Sequence, residues 1–367
     1  MRKILKNSVV QSLLTSVICI LLGMFIGYLV LLAIEPSGAG EAIIAVAKNF
    51  LGYSRPETQI KHMGTTLAKA APLIMCSLSV LFSYKVGLFN IGAAGQYVVG
   101  ICASLYAAIV LGWGWIPCMI LAAVVGAVWG AIAGLLKAYL NVNEVISGIM
   151  LNWIGLYITN IVLSVAKDPS SAYTYTLKAK GRDAILPSLG LDAVFSGNKY
   201  VSIAIPLAIV FAIIVWVVME KTKFGYELKA TGYNKNAAKY CGMTEKRNII
   251  ISLAISGALA GLAAAFLYLT DLEQWQVTIS SVPGMGFNGI AAAFLGGLHP
   301  IGTIFSSFFI QHITEGGGHV DLSIYCSQIS ELISAIIIYL CGFVGFLKFA
   351  MNTALAKTED KKEGGKK

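Results

Sequence analysis

The chain has 367 residues, of which 57% are hydrophobic and only 12% are charged. Such a composition excludes an ordinary soluble domain and indicates a protein that crosses a membrane several times. The net charge of +9 lies mainly in the predicted cytoplasmic loops and a lysine-rich tail, which argues against nucleic acid as a partner. Backbone polar groups in lipid must be hydrogen-bonded within their own segment, and the alternating pattern of barrel strands does not occur. The predicted fold class is therefore all-α.

Apolar segments predict about ten transmembrane helices, including a broken pair near 286–313. In chain order they cover 8–34, 64–84, 88–111, 116–139, 145–166, 200–219, 249–270, 286–297, 300–313 and 326–347. The run from Val86 to Leu136 has no charged residue. It is much longer than one hydrocarbon core, so it must cross twice. We interpret Gly296-Gly-Leu-His-Pro300 as a turn between two short helices, with a kink in one span as the alternative.

The distribution of basic residues predicts the orientation. With ten spans both termini lie on one side, which carries 18 Lys and Arg residues against 8 on the other. The positive-inside rule then places both termini in the cytoplasm. The outer loop 167–199 carries five positive charges, against the rule. We predict a transmembrane domain over 1–350 and a charged, disordered cytoplasmic tail over 351–367.

Polar residues inside the spans predict where the helices meet. Burying such groups costs free energy unless they have partners or line a cavity. Two helix faces carry them, Glu144, Gly148, Asn152, Gly155 and Thr159 on one, and Gly92, Gln96 and Gly100 on the other. We expect these faces to meet around a water-accessible seam. The alternative is that the polar side chains simply hydrogen-bond neighbouring helices.

Small residues recur at helix-packing spacing in two spans. Gly126, Gly130 and Gly134 lie on one helix face, and Gly257 and Gly261 lie on another. Glycines at this spacing let two helix backbones approach closely. We predict that both motifs pack helices, either within this chain or against a second subunit, and neither motif identifies a substrate.

The basic loop 220–247 predicts a contact with a soluble partner. Within it, Asn236-Ala-Ala-Lys-Tyr240 is suited to a short amphipathic helix that ends at Gly242. Such a helix has little apolar surface to bury internally. We expect it to seat in a groove on a cytoplasmic protein.

Enzyme signatures are scarce. Gly284-Met-Gly-Phe-Asn-Gly289 matches the glycine pattern of a dinucleotide site, but it does not follow a strand. We interpret it as a flexible lead into a broken helix, whose N-terminal N–H groups face the pathway. The sequence has no phosphate-binding GxxxxGK[ST] motif. We predict no catalytic residues, no metal site and no enzyme activity.

Several motifs in a fixed order resemble the permeases of ABC importers. They are Gly87-Leu-Phe-Asn-Ile-Gly-Ala-Ala-Gly-Gln96, the loop Gly225-Tyr-Glu-Leu-Lys-Ala-Thr-Gly-Tyr-Asn234 with Ala237-Ala-Lys-Tyr-Cys-Gly242, and Ser256-Gly-Ala-Leu-Ala-Gly261. The match is to the branch that includes ribose-type and branched-chain amino-acid permeases. Within that branch, Asn143-Glu-Val-Ile-Ser-Gly-Ile-Met-Leu-Asn152 and Gly286-Phe-Asn-Gly-Ile-Ala-Ala-Ala-Phe-Leu-Gly296 most resemble nucleoside importers served by basic-membrane-protein lipoproteins. The family often has a carboxylate where this chain has Ala94 and Asn288, which leaves the exact substrate open.

The resemblance implies a multi-pass subunit of the bacterial plasma membrane. An extracytoplasmic lipoprotein would deliver a nucleoside, and a second permease, expected as a heterodimer partner, would complete the path. A separate cytoplasmic ABC ATPase would use ATP to drive alternating access, so this chain itself would need no cofactor. The alternatives are a sugar or branched-chain amino-acid permease, or an ion-coupled carrier with Glu144 and Lys69 as its only ionisable candidates. A membrane-embedded enzyme has the least support.

Two sets of residues follow from the motifs and the polar faces. The substrate route is assigned to Phe89, Asn90, Gln96, Glu144, Asn152 and Asn288. The ATPase coupling loop is assigned to Gly232, Asn234, Ala237, Ala238 and Gly242. Asn90 and Gln96 each offer a donor and an acceptor, which suits sugar hydroxyls and base edges. Glu144 lies near the cytoplasmic end, where bracing the helix entry is an alternative role.

Overall fold

The computed structural model describes residues 8–321, 323–325, 332–333, 335–336, 339–340, 343, 346 and 353. Within these residues the regular elements are helices, apart from two isolated antiparallel bridges. The α-helices, numbered α1 to α13 in chain order, are Ser8–Ile34, Ala39–Lys48, Pro56–Tyr84, Ala93–Ile109, Trp115–Leu140, Glu144–Leu163, Leu191–Val194, Ala204–Lys221, Lys223–Tyr233, Lys235–Tyr240, Glu245–Tyr268, Met285–Leu295 and Pro300–Gly316. The all-α prediction is confirmed for the described part of the chain.

Helix length and composition support a multi-pass membrane protein. Among the described residues, five helices are long and apolar enough to cross a membrane, namely α3, α5, α6, α8 and α11. Shorter apolar helices occur at Leu21–Ile34, Ala93–Ile109 and Met285–Leu295. Most of the predicted span 326–347, and all of the tail 351–367 except residue 353, lie outside the described residues.

One predicted boundary differs from the structure, and one open interpretation is decided by it. The span predicted over 88–111 begins as a helix only at Ala93, because residues 85–92 form a turn. The predicted broken pair near 286–313 is two separate helices, α12 and α13. Gly297 and Leu298 between them have φ angles of 66° and 53°, a left-handed backbone that ends a helix. The turn interpretation is therefore confirmed over the single kinked span.

Residues 50–293 and 299–311 form one compact unit, in which α3 and α11 are the central helices. In the most apolar window of α3, 83% of the residues are buried, against 28% in α5 and in α8. α11 is rich in Gly, Ala and Ser, which lets α3, α4 and α5 approach it closely. The larger apolar residues of α5 and α8 remain on the outside, where a membrane protein meets lipid.

The glycine motifs pack α5 against α11, as predicted. A Cβ atom at Gly126 would overlap the carbonyl oxygen of Gly257, and one at Gly257 would overlap the carbonyl oxygen of Gly126. One turn along the same face of α11, a Cβ atom at Gly261 would overlap the carbonyl oxygen of Ala122. Only residues without a side chain permit this approach, so the prediction of a packing role is confirmed.

The connection between α6 and α8 is folded rather than extended. Tyr173 and Gln276 form an antiparallel bridge, and the backbone N–H of Thr174 donates to the Trp275 carbonyl at 2.9 Å. The Trp275 ring is buried, and its Nε1 donates to Asn160 Oδ1 of α6 at 2.9 Å. These bonds tie the segment after α11 to the connection after α6.

A second compact unit comprises residues 1–49, 294–298 and 312–367, as far as they are described. It contains α2, which no predicted span covers. The hydroxyl of Tyr325 donates to the Glu35 carbonyl at 2.6 Å. Nε2 of His312 lies 2.9 Å from the Ala47 carbonyl at the end of α2. The α2 segment is too short and too polar to be predicted as a span.

Candidate functional site

The turn before α4 brings two predicted route residues together. Asn90 lies in this turn and Gln96 lies in the first turn of α4. Nδ2 of Asn90 donates to Oε1 of Gln96 at 2.9 Å, and both side chains are buried. Phe89, beside them in sequence, is half-buried. In this conformation the two amides therefore satisfy each other.

Asn152 binds the backbone around the start of α4. Its Oδ1 accepts from the N–H of Gly95 at 2.7 Å, and its Nδ2 donates to the Ile91 carbonyl at 3.1 Å. Both ends of this amide are thus occupied by the main chain. Asn152 fixes α6 against the turn that carries Asn90.

The predicted meeting of two polar faces is confirmed in part. The α6 face does contact α4 and the residue before it, since a Cβ atom at Gly92 would lie 3.2 Å from the Gly148 Cα, and Thr159 Oγ1 donates to the Val98 carbonyl at 3.3 Å. The expected water-accessible seam is wrong for this conformation, because Asn152 and Thr159 are 2% and 0% exposed. Small residues allow the two helices to pack closely without a gap.

The second polar face points elsewhere than predicted. A Cβ atom at Gly100 would lie 2.6 Å from the Cα of Gly261 on α11. Gly92 of this face packs on α6, whereas the rotation of α4 turns its later residues toward α5 and α11. Gln96 Nε2 accordingly lies next to Gly130 of α5, 3.2 Å from where a Cβ atom would stand.

Glu144 forms an ion pair at the start of α6. Its Oε2 lies 2.8 Å from Lys137 Nζ on α5, and both side chains are 17% exposed. Asn143 caps the same helix, since its Oδ1 accepts from the N–H of Val145 at 2.8 Å. These contacts match the bracing role that the sequence left open for Glu144. They do not place it with Asn90 and Gln96.

Asn288 lies in the first turn of α12, whose glycines pack tightly. A Cβ atom at Gly286 would overlap Ala94 of α4, and one at Gly289 would lie 2.7 Å from Cβ of Cys76 on α3. The predicted flexible lead is therefore wrong for residues 285–289, which are helical and close-packed. Asn288 is half-buried. It lies in the same helical turn as Gly286, which contacts the start of α4.

The loop predicted to contact a soluble partner forms two short helices, α9 and α10. Thr222 Oγ1 accepts from the N–H of Gly225 at 3.1 Å and caps α9, while Asn234 Oδ1 accepts from the N–H of Ala237 at 3.0 Å and caps α10. Gly242 follows with a φ angle of 81°, which favours glycine. The predicted short helix and its end at Gly242 are confirmed.

One residue assigned to the coupling loop is buried. Ala237 is exposed, whereas Ala238 is only 3% exposed. Of these two alanines, Ala237 is therefore the one that a partner can contact in this conformation. Tyr233 and Tyr240, which the sequence analysis did not select, are 92% and 94% exposed. Their signal in the sequence is an aromatic residue within an otherwise polar, basic loop.

Gly232 connects this loop to the turn before α4. A Cβ atom at Gly232 would lie 2.7 Å from the Lys85 carbonyl oxygen and 3.0 Å from the Gly87 nitrogen. Gly87 has a φ angle of 76°, so both residues of this contact need to be glycine. A buried bond from Asn248 Nδ2 to Thr231 Oγ1, at 2.9 Å, anchors the end of α9 to α11. The end of α9 is therefore in direct backbone contact with the turn that carries Asn90.

Comparison with known proteins identifies the family. The family described as the branched-chain amino acid transport system permease component matches residues 62–342. The guanosine ABC transporter permease protein NupP of Bacillus subtilis is 32% identical over 346 residues, covering 93% of this chain and 96% of that protein. The nucleoside ABC transporter permease protein NupB of Lactococcus lactis is 31% identical over 370 residues, covering 96% of each.

A further relative is NupQ, also named a guanosine ABC transporter permease protein of Bacillus subtilis. It is 28% identical over 296 residues, which cover 77% of this chain and 90% of that protein. No solved structure matches the chain. The resemblance predicted from the motifs is confirmed by the family match and by the nearly full-length relatives. This chain belongs to the family of permease components of branched-chain amino acid transport systems.

Proposed function

We propose that this chain is the membrane-spanning permease subunit of an ABC importer for nucleosides in a bacterial plasma membrane. The observation that carries the proposal is nearly full-length similarity to two permeases named for guanosine and for nucleosides. The relatives NupP and NupQ, both named for guanosine in one bacterium, support a second, different permease as partner. The ten-span topology with cytoplasmic termini and the tail over 351–367 belong to the same proposal.

The route for the substrate runs past the start of α4. Gln96 lies in the first turn of that helix and binds Asn90, and Asn152 accepts a hydrogen bond from Gly95 of the same turn. The tightly packed first turn of α12 brings Asn288 to the same region. During transport, the Asn90–Gln96 bond opens, and each amide exchanges its partner for a hydroxyl or base edge of the substrate. An amide has both a donor and an acceptor, so this exchange leaves no buried group unpaired.

Coupling to the ATPase occurs through α9 and α10. The exposed rings of Tyr233 and Tyr240 offer large contact area with little loss of conformational entropy, as tyrosines at protein interfaces do. Gly232 passes the movement of this loop to Gly87 and so to the Asn90 turn. An extracytoplasmic lipoprotein delivers the substrate at the opposite side of the membrane.

An ion-coupled carrier is the weaker alternative. Such a protein needs an ionisable relay near the middle of the membrane. Glu144, one of the two candidates, is instead held by Lys137 at 2.8 Å at the first residue of α6. This ion pair at a helix end supports a bracing role.

Uptake in cells tests the proposal. The chain is expressed with its ATPase, partner permease and lipoprotein in a bacterium that lacks nucleoside uptake, and entry of radiolabelled guanosine is measured. We expect uptake that excess adenosine inhibits and that excess ribose or leucine does not. Entry of radiolabelled ribose or leucine, with no entry of guanosine, would show that the importer serves another substrate class.

A further inference from the structure

The contact between α3 and α11 contains serine hydroxyls on both sides. Ser79 and Ser83 lie one turn apart on α3, and Ser252 and Ser256 lie one turn apart on α11. All four side chains are 0% exposed. Ser256 Oγ donates to the Ser79 carbonyl at 2.8 Å, which fixes where the two helices touch.

Two of these hydroxyls have no hydrogen-bond partner among the described residues. They are Ser79 Oγ and Ser252 Oγ. A buried serine in a helix usually donates to a carbonyl of its own preceding turn, as Ser77 does to Ile74 at 2.7 Å. An unpaired buried hydroxyl is unfavourable and rare in native structures. Its presence on both sides of one contact requires an explanation.

The opposite face of α11 differs in chemistry. There Gly257 and Gly261 contact α5 through backbone atoms, which suits a permanent contact. The serine face meets α3, whose Pro72 removes one intrahelical hydrogen bond about two turns before Ser79. A helix interrupted in this way bends more easily than a regular one. One face of α11 is thus tightly locked, whereas the other meets a helix that can move.

We infer that the contact between α3 and α11 opens during transport, and that Ser79 and Ser252 then bind the sugar hydroxyls of the substrate. A serine hydroxyl is both donor and acceptor, which matches the hydroxyls of a ribose. It carries no charge, so the ligand is held weakly enough to leave. The hydroxyls that are unpaired in the present conformation gain partners in the open one. The identity of the ligand as a nucleoside rests on the proposed function.

Alanine variants separate a substrate contact from a structural one. Ser79→Ala and Ser252→Ala remove a hydroxyl that has no partner, so we expect the thermal unfolding midpoint to stay equal or rise. We expect the maximal uptake rate of guanosine to fall about tenfold, the effect of one hydrogen bond. Uptake of a 2′,3′-dideoxynucleoside, which lacks the 2′- and 3′-hydroxyls but keeps the 5′-hydroxyl, should respond less to either change than uptake of guanosine does. Ser104→Ala is the matched control, since Ser104 is buried and donates to Ile101 at 3.1 Å, and it should transport at the normal rate.

Guanosine uptake at the wild-type rate in both variants would overturn the inference. A thermal midpoint lowered in Ser79→Ala as much as in Ser256→Ala would do the same, because it would show a structural role. If the wild-type protein takes up no nucleoside, the proposed function fails. Cysteine labelling then tests separately whether the contact between α3 and α11 opens. Ser79→Cys and Ser252→Cys, in a Cys241→Ser background that removes an exposed thiol, should then react with a water-soluble maleimide only during ATP turnover. Failure of both to react above a Ser104→Cys control would show that the contact stays closed.

Discussion

At the scale of single residues, the sequence identified the polar groups but not their partners. Asn90, Gln96 and Asn152 were predictable because an amide in an uncharged apolar segment needs a partner or a cavity. Which partner each one takes depends on the rotation of α4 about its axis. That rotation is set by the fit of Gly92 and Gly95 against α6, which one sequence does not reveal. The two unpaired serines had no sequence signal, because serine is common in membrane helices.

The Asn90–Gln96 bond leads to a double-mutant prediction. Asn90→Leu or Gln96→Leu alone leaves the other amide buried and unpaired, so each should lower the free energy of unfolding by about 1–3 kcal/mol. The double variant replaces both partners by apolar groups and should recover most of that loss. Thermal unfolding in detergent measures the stability, and guanosine uptake measures function. If the two amides contact the substrate, guanosine uptake should stay low in the double variant even though its stability is recovered. Normal uptake in the double variant would limit the pair to a structural role.

At the scale of elements, periodicity and breakers predicted most helices well. The boundaries failed where glycine did two different things. Gly87 ends a helix because its backbone is left-handed, whereas Gly286 and Gly289 lie inside a helix and allow close packing. These roles look alike in sequence, since each is a glycine beside an apolar run. The prediction of a flexible lead over residues 285–289 was therefore wrong, and the predicted span 88–111 began before the turn of residues 85–92 had ended.

The α5–α11 contact gives a stability prediction. Gly257→Ala places a methyl group on the Gly126 carbonyl oxygen. Because backbone atoms cannot move aside locally, the helices must separate, and the free energy of unfolding should fall by about 2 kcal/mol or more. Gly40→Ala in α2 is the control, since its Cβ atom would meet nothing within 4 Å. That variant should be neutral or more stable. Equal thermal midpoints for the two variants would contradict the packing described for α11.

The coupling loop gives a third prediction. Tyr240→Ala removes an exposed ring from α10 and should weaken binding of the ATPase by about 2 kcal/mol, with little change in thermal stability. Ala237→Asp should act similarly, because that residue is exposed. Ala238→Asp should instead lower stability, because it introduces a carboxylate at a position only 3% exposed. Co-purification of the ATPase and thermal unfolding distinguish the two effects, and normal ATPase binding by both surface variants would rule out this loop as the docking surface.

At the scale of the whole molecule, composition alone predicted a multi-pass membrane protein. The family followed from several motifs in a fixed order, each of which is weak by itself. The number of spans and the side on which the termini lie remain predictions. They rest on the distribution of basic residues and on counting the segment 326–347 as the last span. The substrate class was predictable only from resemblance, because a weak-binding pathway carries few diagnostic residues.

Transport by purified components tests the central claim most directly. The chain is reconstituted in vesicles with its partner permease, ATPase and lipoprotein, and accumulation of guanosine is measured with and without ATP. The account predicts accumulation only with ATP, and none when the ATPase carries a substitution that abolishes hydrolysis. Accumulation driven by an ion gradient in vesicles that contain this chain alone would contradict it.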